Sequence, residues 1–345
     1  MKNKYLIFTA IATALLLTTC YLLLCRGNAP ATTYTVAPGE SIGAVAAGLK
    51  SDDIIKSETL FKIAARLNGN KIQTGIYDIP KRAGTFRIAN MMARGRVASV
   101  LVTIPEGLTI KQIVNLLNEN PNLTGKISNE LCTRYPPLEG GSQSASETTR
   151  DAGRGQKCTK YSDGDLFPDT YKVPRGTSRD DFIKIMANEM RRIRGELEKM
   201  PRPKPLKNWN EVITLASIVQ RETPKFSEMP TVASVYLNRL KTGMRLQADP
   251  TVVYQITGGL GDMNEKPLLT AHLKIDGPYN TYTRSGLPAG PIANPGAHAI
   301  RAVLKPADTT YYYFVADGTG GHKFSRTLDE HNDARAVWKK IKENN

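Results

Sequence analysis

The chain has 345 residues, of which 40% are hydrophobic and 7% aromatic, enough for two or three globular domains with ordinary cores and too many for one small domain. It carries 47 Lys and Arg against 32 Asp and Glu, a formal charge of +15. Such a surface seeks polyanions or anionic membranes, and nucleic acid is the usual partner unless the chain leaves the cytoplasm.

Residues 1–4 are short and basic, and residues 5–25 are free of charge and rich in Leu, Ile, Ala and Thr. A run of roughly 20 such residues is long enough to cross a bilayer as a helix, with every backbone bond satisfied within it. Lys2 and Lys4 precede the run, and only Arg26 follows it before Lys50. The positive-inside rule then predicts a cytoplasmic N-terminus and an exported, periplasmic body, held by one pass in the inner (plasma) membrane. Ala29-Pro30-Ala31 offers the alternative of a cleaved signal peptide, although the apolar run is longer than the usual signal core. Export argues against nucleic acid as the partner and permits disulfides.

Residues 33–118 alternate short β-like runs with short amphipathic helices. One pattern recurs: a turn at Gly, a Ser or Thr fit to cap a helix, then apolar residues at helical spacing. It reads Pro38-Gly39-Glu40-Ser41 before Val45 and Leu49, and Pro105-Glu106-Gly107-Leu108-Thr109 before Ile113 and Leu117. A weaker copy is Gly84-Thr85 before Met91-Met92. Glu40 and Glu106 lie beside the expected helix starts, where the helix dipole favours an acid. The stretch Tyr34-Thr35-Val36-Ala37-Pro38-Gly39-Glu40-Ser41-Ile42 also resembles the start of a LysM glycan-binding module, which implies contact with N-acetylated sugar chains.

Residues 119–160 read as a loop-rich insertion with the polar, Gly-rich content of solvated chain. Within it Cys132 and Cys158 flank the stretch Leu138 to Lys157, either as a disulfide or as two free thiols, and neither has the spacing of a zinc ligand. A larger domain then runs over 161–345, opening at Leu166-Phe167-Pro168-Asp169. Arg179 to Lys199 predicts a basic helix whose Arg191-Arg192-Ile193-Arg194 run is a solvated face, and Pro201 to Pro205 a stiff connector.

Glu211 to Glu222 predicts a helix with Val212, Leu215, Ala216 and Val219 on one apolar face. Pro224 stops it and biases Thr223 away from helical angles, so Glu222 falls at the C-terminal end. A carboxylate there meets the negative end of the helix dipole and, if partly buried, keeps its proton to higher pH. That suits a group that donates a proton near neutrality. From this helix alone, a surface Glu ending a helix is the simpler reading.

The segments that follow are Tyr236-Leu237-Asn238-Arg239-Leu240, Gly243 to Tyr254, Pro278-Tyr279-Asn280-Thr281-Tyr282, Gly286 to Gly296, and Tyr313 to Phe324. Together with Ala216-Ser217-Ile218-Val219-Gln220-Arg221-Glu222 they resemble the MltG (YceG-like) family of endolytic murein transglycosylases. The resemblance implies an α+β fold with a single N-terminal transmembrane helix, a small LysM-like β/α subdomain and a larger mixed α/β catalytic domain. It implies cleavage of MurNAc-β-1,4-GlcNAc bonds inside nascent peptidoglycan glycan strands, leaving 1,6-anhydroMurNAc ends. It requires no cofactor and no metal, and its essential glutamate falls on Glu222. Membrane lipid and the cell-wall synthases are the further partners it implies. Two departures stand out: Gln220 where many relatives carry Glu, and Ala289 where they usually carry Pro.

Ordinary glycosidases need two carboxyl groups. In this family the substrate's own C6 hydroxyl replaces the second, so one suffices. Candidate substrate-binding residues are Asn238, Gln247, Asn280 and Tyr282 for N-acetyl and hydroxyl groups, Tyr254 to stack on a sugar, and Arg239 and Arg245 for lactyl or peptide carboxylates. Asp249 reads as a structural or substrate-orienting group, and each of these residues also has a purely structural reading. Two rivals remain. In a muramidase-type hydrolase Asp249 would activate water, and a non-catalytic peptidoglycan-binding scaffold would make no cuts.

Overall fold

The computed structural model describes residue 27 and residues 29–128, 161–263 and 266–343. The expected transmembrane helix at 5–25 and the Cys132–Cys158 pairing lie outside the described residues, and among these no helix is long and apolar enough to cross a membrane. The architecture is mixed α+β with small sheets: eleven helices and three two-stranded sheets among the described residues. The chain divides into two compact units, one of residues 1–102, 122–124 and 171–177, the other of 103–121, 125–170 and 178–345. Residues 103–121 therefore fall in the second unit.

The first unit is built on β1 (Thr32–Val36), α1 (Ile42–Ser51), α2 (Glu58–Leu67) and β2 (Gly75–Ile79). β1 and β2 pair antiparallel with Tyr34 opposite Tyr77 and Val36 opposite Gly75. The two-residue period of a strand turns Tyr34, Val36, Tyr77 and Ile79 to one buried face. Val45 and Leu49 of α1 and Phe61 and Ala64 of α2 close over that face. Full burial of a side chain the size of Phe61 or Leu49 stabilises by about 1.5–3 kcal/mol. Gly48 permits a close approach of α1 to the sheet: a Cβ there would lie 2.2 Å from the Tyr34 hydroxyl, which donates to the Val45 carbonyl at 3.3 Å.

Ser41 caps α1 by accepting from Ala44 N at 3.1 Å. Thr85 does not act as the third copy of the pattern suggested. In α3 (Thr85–Ala93) Gly84 holds the cap position without a side-chain bond, and Thr85 is a buried first-turn residue. With Ile88, Ala89 and Met92 it makes the buried face of that helix. β3 (Ser99–Thr103) pairs with β4 (Thr170–Pro174) in a separate two-stranded sheet.

In the second unit, α4 (Ile110–Glu119) begins at a capping box in which Thr109 and Gln112 exchange side-chain and backbone bonds. α5 (Arg179–Leu197) contributes Met190, Ile193 and Leu197 to the core. At its centre is α6 (Trp209–Glu222), which starts two residues earlier than expected because Asn208 caps it, accepting from Glu211 N at 2.9 Å. The single apolar face predicted for α6 is an underestimate: every residue from Val212 to Val219 is buried. The two polar ones are satisfied internally, Thr214 by donating to Asn210 O and Ser217 by donating to Thr214 O. α7 (Met229–Thr242) and α10 (Ala297–Leu304) pack against α6 and each other. Gly243 ends α7 in the left-handed conformation, at φ 73°. The remaining elements are α8 (Asp249–Ile256), the single turn α9 (Thr270–Leu273), the hairpin of β5 (Tyr313–Ala316) and β6 (His322–Ser325), and α11 (Leu328–Glu343), which packs on the hairpin.

Candidate active site

α6 is extended to its last residue by the helical ladder and stopped by Thr223, whose backbone is extended at φ −140° and ψ 133° ahead of Pro224. Glu222 therefore projects from the end of a buried helix into a cavity of about 520 Å³, a size that suits a ligand site. The cavity is also lined by Tyr236 and Arg239 of α7, Gln247, Asp249 at the start of α8, Tyr282, residues 313–315 of β5, and Leu328, His331 and Arg335 of α11.

Burial is the main reason the Glu222 carboxyl is pushed up to about 7. The hydrogen bond from Tyr236 and the charge of Arg239 pull it down, and the charge of Asp249 pushes it further up. The Tyr236 hydroxyl donates to Glu222 Oε1 at 2.6 Å. Its ring is 1% exposed and meets Phe314 edge-on at 5.8 Å, so the hydroxyl is held by packing from behind. Near neutral pH this carboxyl is poised between its two protonation states, which is what a group that first gives and then takes a proton requires.

Asp249 is treated differently. It is exposed, and Tyr282 donates to its Oδ1 at 2.5 Å. Tyr282 is in turn placed by Asn280, whose Oδ1 accepts from Tyr282 N at 2.8 Å and whose Nδ2 donates to Leu273 O and Ile275 O. Asn280 is buried, and its polar atoms are spent on the loop.

Of the residues singled out from sequence, Glu222, Arg239, Gln247, Asp249 and Tyr282 line one cavity, and Asn238, Arg245, Tyr254 and Asn280 are not among its lining residues. Asn238 donates to Thr309 O and Tyr311 O. Arg239 donates from Nε to Tyr312 O at 2.7 Å and from Nη1 to Leu246 O at 2.6 Å, with its guanidinium 5.4 Å above the Tyr313 ring. Tyr254 is 5% exposed and tilts against Tyr279, and its hydroxyl donates to Asp163 Oδ2 at 2.6 Å, so its face is not offered to a sugar. Arg245 is exposed. His322, the first residue of β6, bonds Glu228, which precedes α7, at 2.7 Å.

The departures at Gln220 and Ala289 have local explanations. Gln220 Oε1 accepts from Gly296 N at 3.1 Å, at the start of α10, and Gln220 is not among the cavity-lining residues. A Cβ on Gly296 would sit 1.9 Å from Glu106 Oε1, so an acidic side chain already covers this helix start. Ala289 donates its N–H to Pro278 O at 3.0 Å, a bond that a proline lacks.

Sequence reasoning did not assign roles to Tyr236, Tyr313, His331 or Arg335. Tyr236 carried a usable signal: it continues the buried stripe of Met229, Val232 and Ala233 on α7, and a tyrosine on a buried stripe needs a partner for its hydroxyl. His331 stacks on Tyr313 with centroids 5.2 Å apart, a pairing no local pattern announces.

Residues 34–337 match the family described as the YceG-like family. A protein of Bacillus subtilis (strain 168) named endolytic murein transglycosylase is 31% identical over 313 residues, covering 87% of this chain and 82% of that protein. A protein of the same name from Streptococcus pneumoniae (serotype 2, strain D39) is 26% identical over 324 residues, and the matched part is 87% of this chain but 57% of that longer protein. The crystal structure of a YceG-like protein from Listeria monocytogenes is 25% identical, with 88% of this chain and 98% of that chain covered at a TM-score of 0.47.

Proposed function

The chain belongs to the YceG-like family, and on that premise we propose that it is an endolytic murein transglycosylase whose acid/base is Glu222. The observation that carries the reading is the Glu222 carboxyl, enclosed at the end of a buried helix, pushed up to about 7 and hydrogen-bonded by Tyr236. Protonated Glu222 gives its proton to the glycosidic O4 as the bond from C1 of MurNAc breaks. The resulting carboxylate takes the proton of the MurNAc C6 hydroxyl as O6 closes on C1. The strand ends in 1,6-anhydroMurNAc, no water is consumed, and the glutamate returns to its starting state. Intramolecular attack benefits from a high effective concentration of the nucleophile. Arg239, anchored on two carbonyls, and Asp249, anchored by Tyr282, supply fixed charges of opposite sign beside the reacting centre.

The strand–helix–helix–strand order of residues 32–79 supports a LysM-like role in holding glycan. The apolar run at 5–25 and the net charge of +15 support a body anchored to a membrane with anionic headgroups, on the periplasmic side and within reach of the wall synthases.

The test is a mass-resolved digest of purified glycan strands by the protein and by its Glu222→Gln variant. Internal cuts ending in 1,6-anhydroMurNAc and absent from the variant are expected. Reducing ends would replace the reading with a hydrolase using Asp249. Glycan binding without cleavage by either protein would replace it with a scaffold.

A further inference from the structure

We propose that Arg335 and His331 form a carboxylate-recognition subsite beside Glu222, which selects strands whose sugars carry an acidic substituent. The proposal deepens the transglycosylase reading and rests on it. Leu328, His331 and Arg335 follow one another at spacings of three and four on α11 and all line the cavity that holds Glu222. Val337, Trp338 and Ile341 line a different groove, so α11 gives one face to the site and another elsewhere.

The polar groups of the cavity differ in how far they are already committed. Arg239 has spent Nε and Nη1 on backbone carbonyls. Asp249 accepts from Tyr282, and Glu222 accepts from Tyr236. Arg335 has no carboxylate partner among the described residues. His331 Nδ1 is enclosed and has no hydrogen-bond partner, the one such side-chain atom among the described residues. An enclosed polar atom without a partner is costly, and a turn of the His331 ring toward a carboxylate docked on Arg335 would remove the cost.

The charges point the same way. Two guanidiniums face one exposed carboxylate, Asp249, and one carboxyl that is half-protonated near neutrality. Burial first, and then the charges of Arg335 and Arg239, hold the His331 imidazole below its ordinary range. A substrate carboxylate docked on the Arg335 fork would receive paired N–H bonds. It would also offset the positive charges of Arg335 and Arg239 that, after burial, disfavour the imidazolium form of His331. In a murein strand the carboxylate is either that of the lactyl ether or that of the stem peptide.

The experiment measures binding with the Glu222→Gln protein, so cleavage is not required for the readout. Soluble glycan fragments, peptide-free or peptide-bearing, are titrated calorimetrically, each with free carboxyls and again after amidation. Free carboxyls are expected to bind about 10–100-fold more tightly than amidated ones, the range of a charge-assisted bond. Adding Arg335→Ala removes that preference and changes the affinity for amidated fragments by less than about 3-fold. Arg335→Lys, which keeps the charge without the fork, restores part of it. A preference confined to peptide-free fragments assigns the lactyl group, and one confined to peptide-bearing fragments assigns the stem. Equal affinity for free and amidated fragments, or equal weakening of both by Arg335→Ala, overturns the subsite. Failure of the parent protein to cut glycan strands would instead overturn the transglycosylase reading, which this titration does not touch.

Discussion

Replacing Tyr236 by Phe deletes one hydroxyl and leaves the ring that packs against Phe314. The deleted group donates to Glu222 Oε1 at 2.6 Å and favours the carboxylate form. A hydrogen bond to a charged group contributes about 1.5–3 kcal/mol, and 1.36 kcal/mol corresponds to one pH unit of titration. Glu222 should therefore hold its proton to a pH roughly one to two units higher in the variant. Because the reaction starts from protonated Glu222, kcat/KM falls on the alkaline side as this group ionises, around pH 7 in the unsubstituted protein. In Tyr236→Phe that fall moves upward by the same one to two units. The assay counts anhydro ends released from soluble strands between about pH 5 and about pH 9, with circular dichroism to confirm the fold. An alkaline limb that stays put, or moves down, would refute the link between the hydroxyl and the acid.

Three further outcomes follow from the same geometry. Asp249→Asn removes the negative charge that raises Glu222, so its alkaline limb shifts downward, opposite in sign to Tyr236→Phe, and the products keep anhydro ends; reducing ends or total loss of cutting would make Asp249 a base. Glu222 titrates near 7 when folded, against about 4.3 when unfolded, so its contribution to stability is complete below about pH 4 and is lost as pH rises through about 7. Glu222→Gln does not titrate, and its stability advantage should grow to about 1–3 kcal/mol at pH 8, reduced for the side chain's opening to solvent; denaturant melts that show the same advantage at pH 5 would count against the burial argument. Asp163→Ala strands the buried Ile110 N–H and removes the carboxylate acceptor of the Tyr254 O–H, each now bonded at 2.6 Å, and should lower stability by about 1–3 kcal/mol; a loss under about 0.5 kcal/mol in the same melts would show that water replaces the carboxylate.

What the sequence revealed were local facts. Pro224 ends α6 at Glu222 whatever surrounds it, and Ser41 and Thr109 cap their helices because the bond spans three residues. The exception, Thr85, failed because Gly84 already satisfied the cap geometry and burial claimed the threonine. The roles decided by distant contacts were hidden. Tyr254 reads as a sugar platform until Asp163, 91 residues away in sequence, is found against its hydroxyl. Asn238 and Asn280 carry the chemistry of ligand-binding amides, but loop carbonyls take up their donors. Arg335 drew no reading from the sequence, since charge at one position of an amphipathic helix does not say which neighbour lies across from it.

The register of α7 explains why the acid and the wall opposite it form one device. Tyr236 reaches back to Glu222 while Asn238 and Arg239, two and three residues on, reach out to the carbonyls of Thr309, Tyr311 and Tyr312 ahead of and at the entry to β5. The strand so held carries Tyr313 and Phe314, and these support the His331 ring and the Tyr236 ring respectively. A shift of α7 by one residue would turn Tyr236 about 100° round the helix, away from Glu222, and detach the β5 wall at the same time. Proton transfer and the proposed carboxylate recognition thus depend on the same buried helix. Small packing changes at Val232 or Ala233, which touch no ligand, should weaken cutting and carboxylate preference together rather than one at a time.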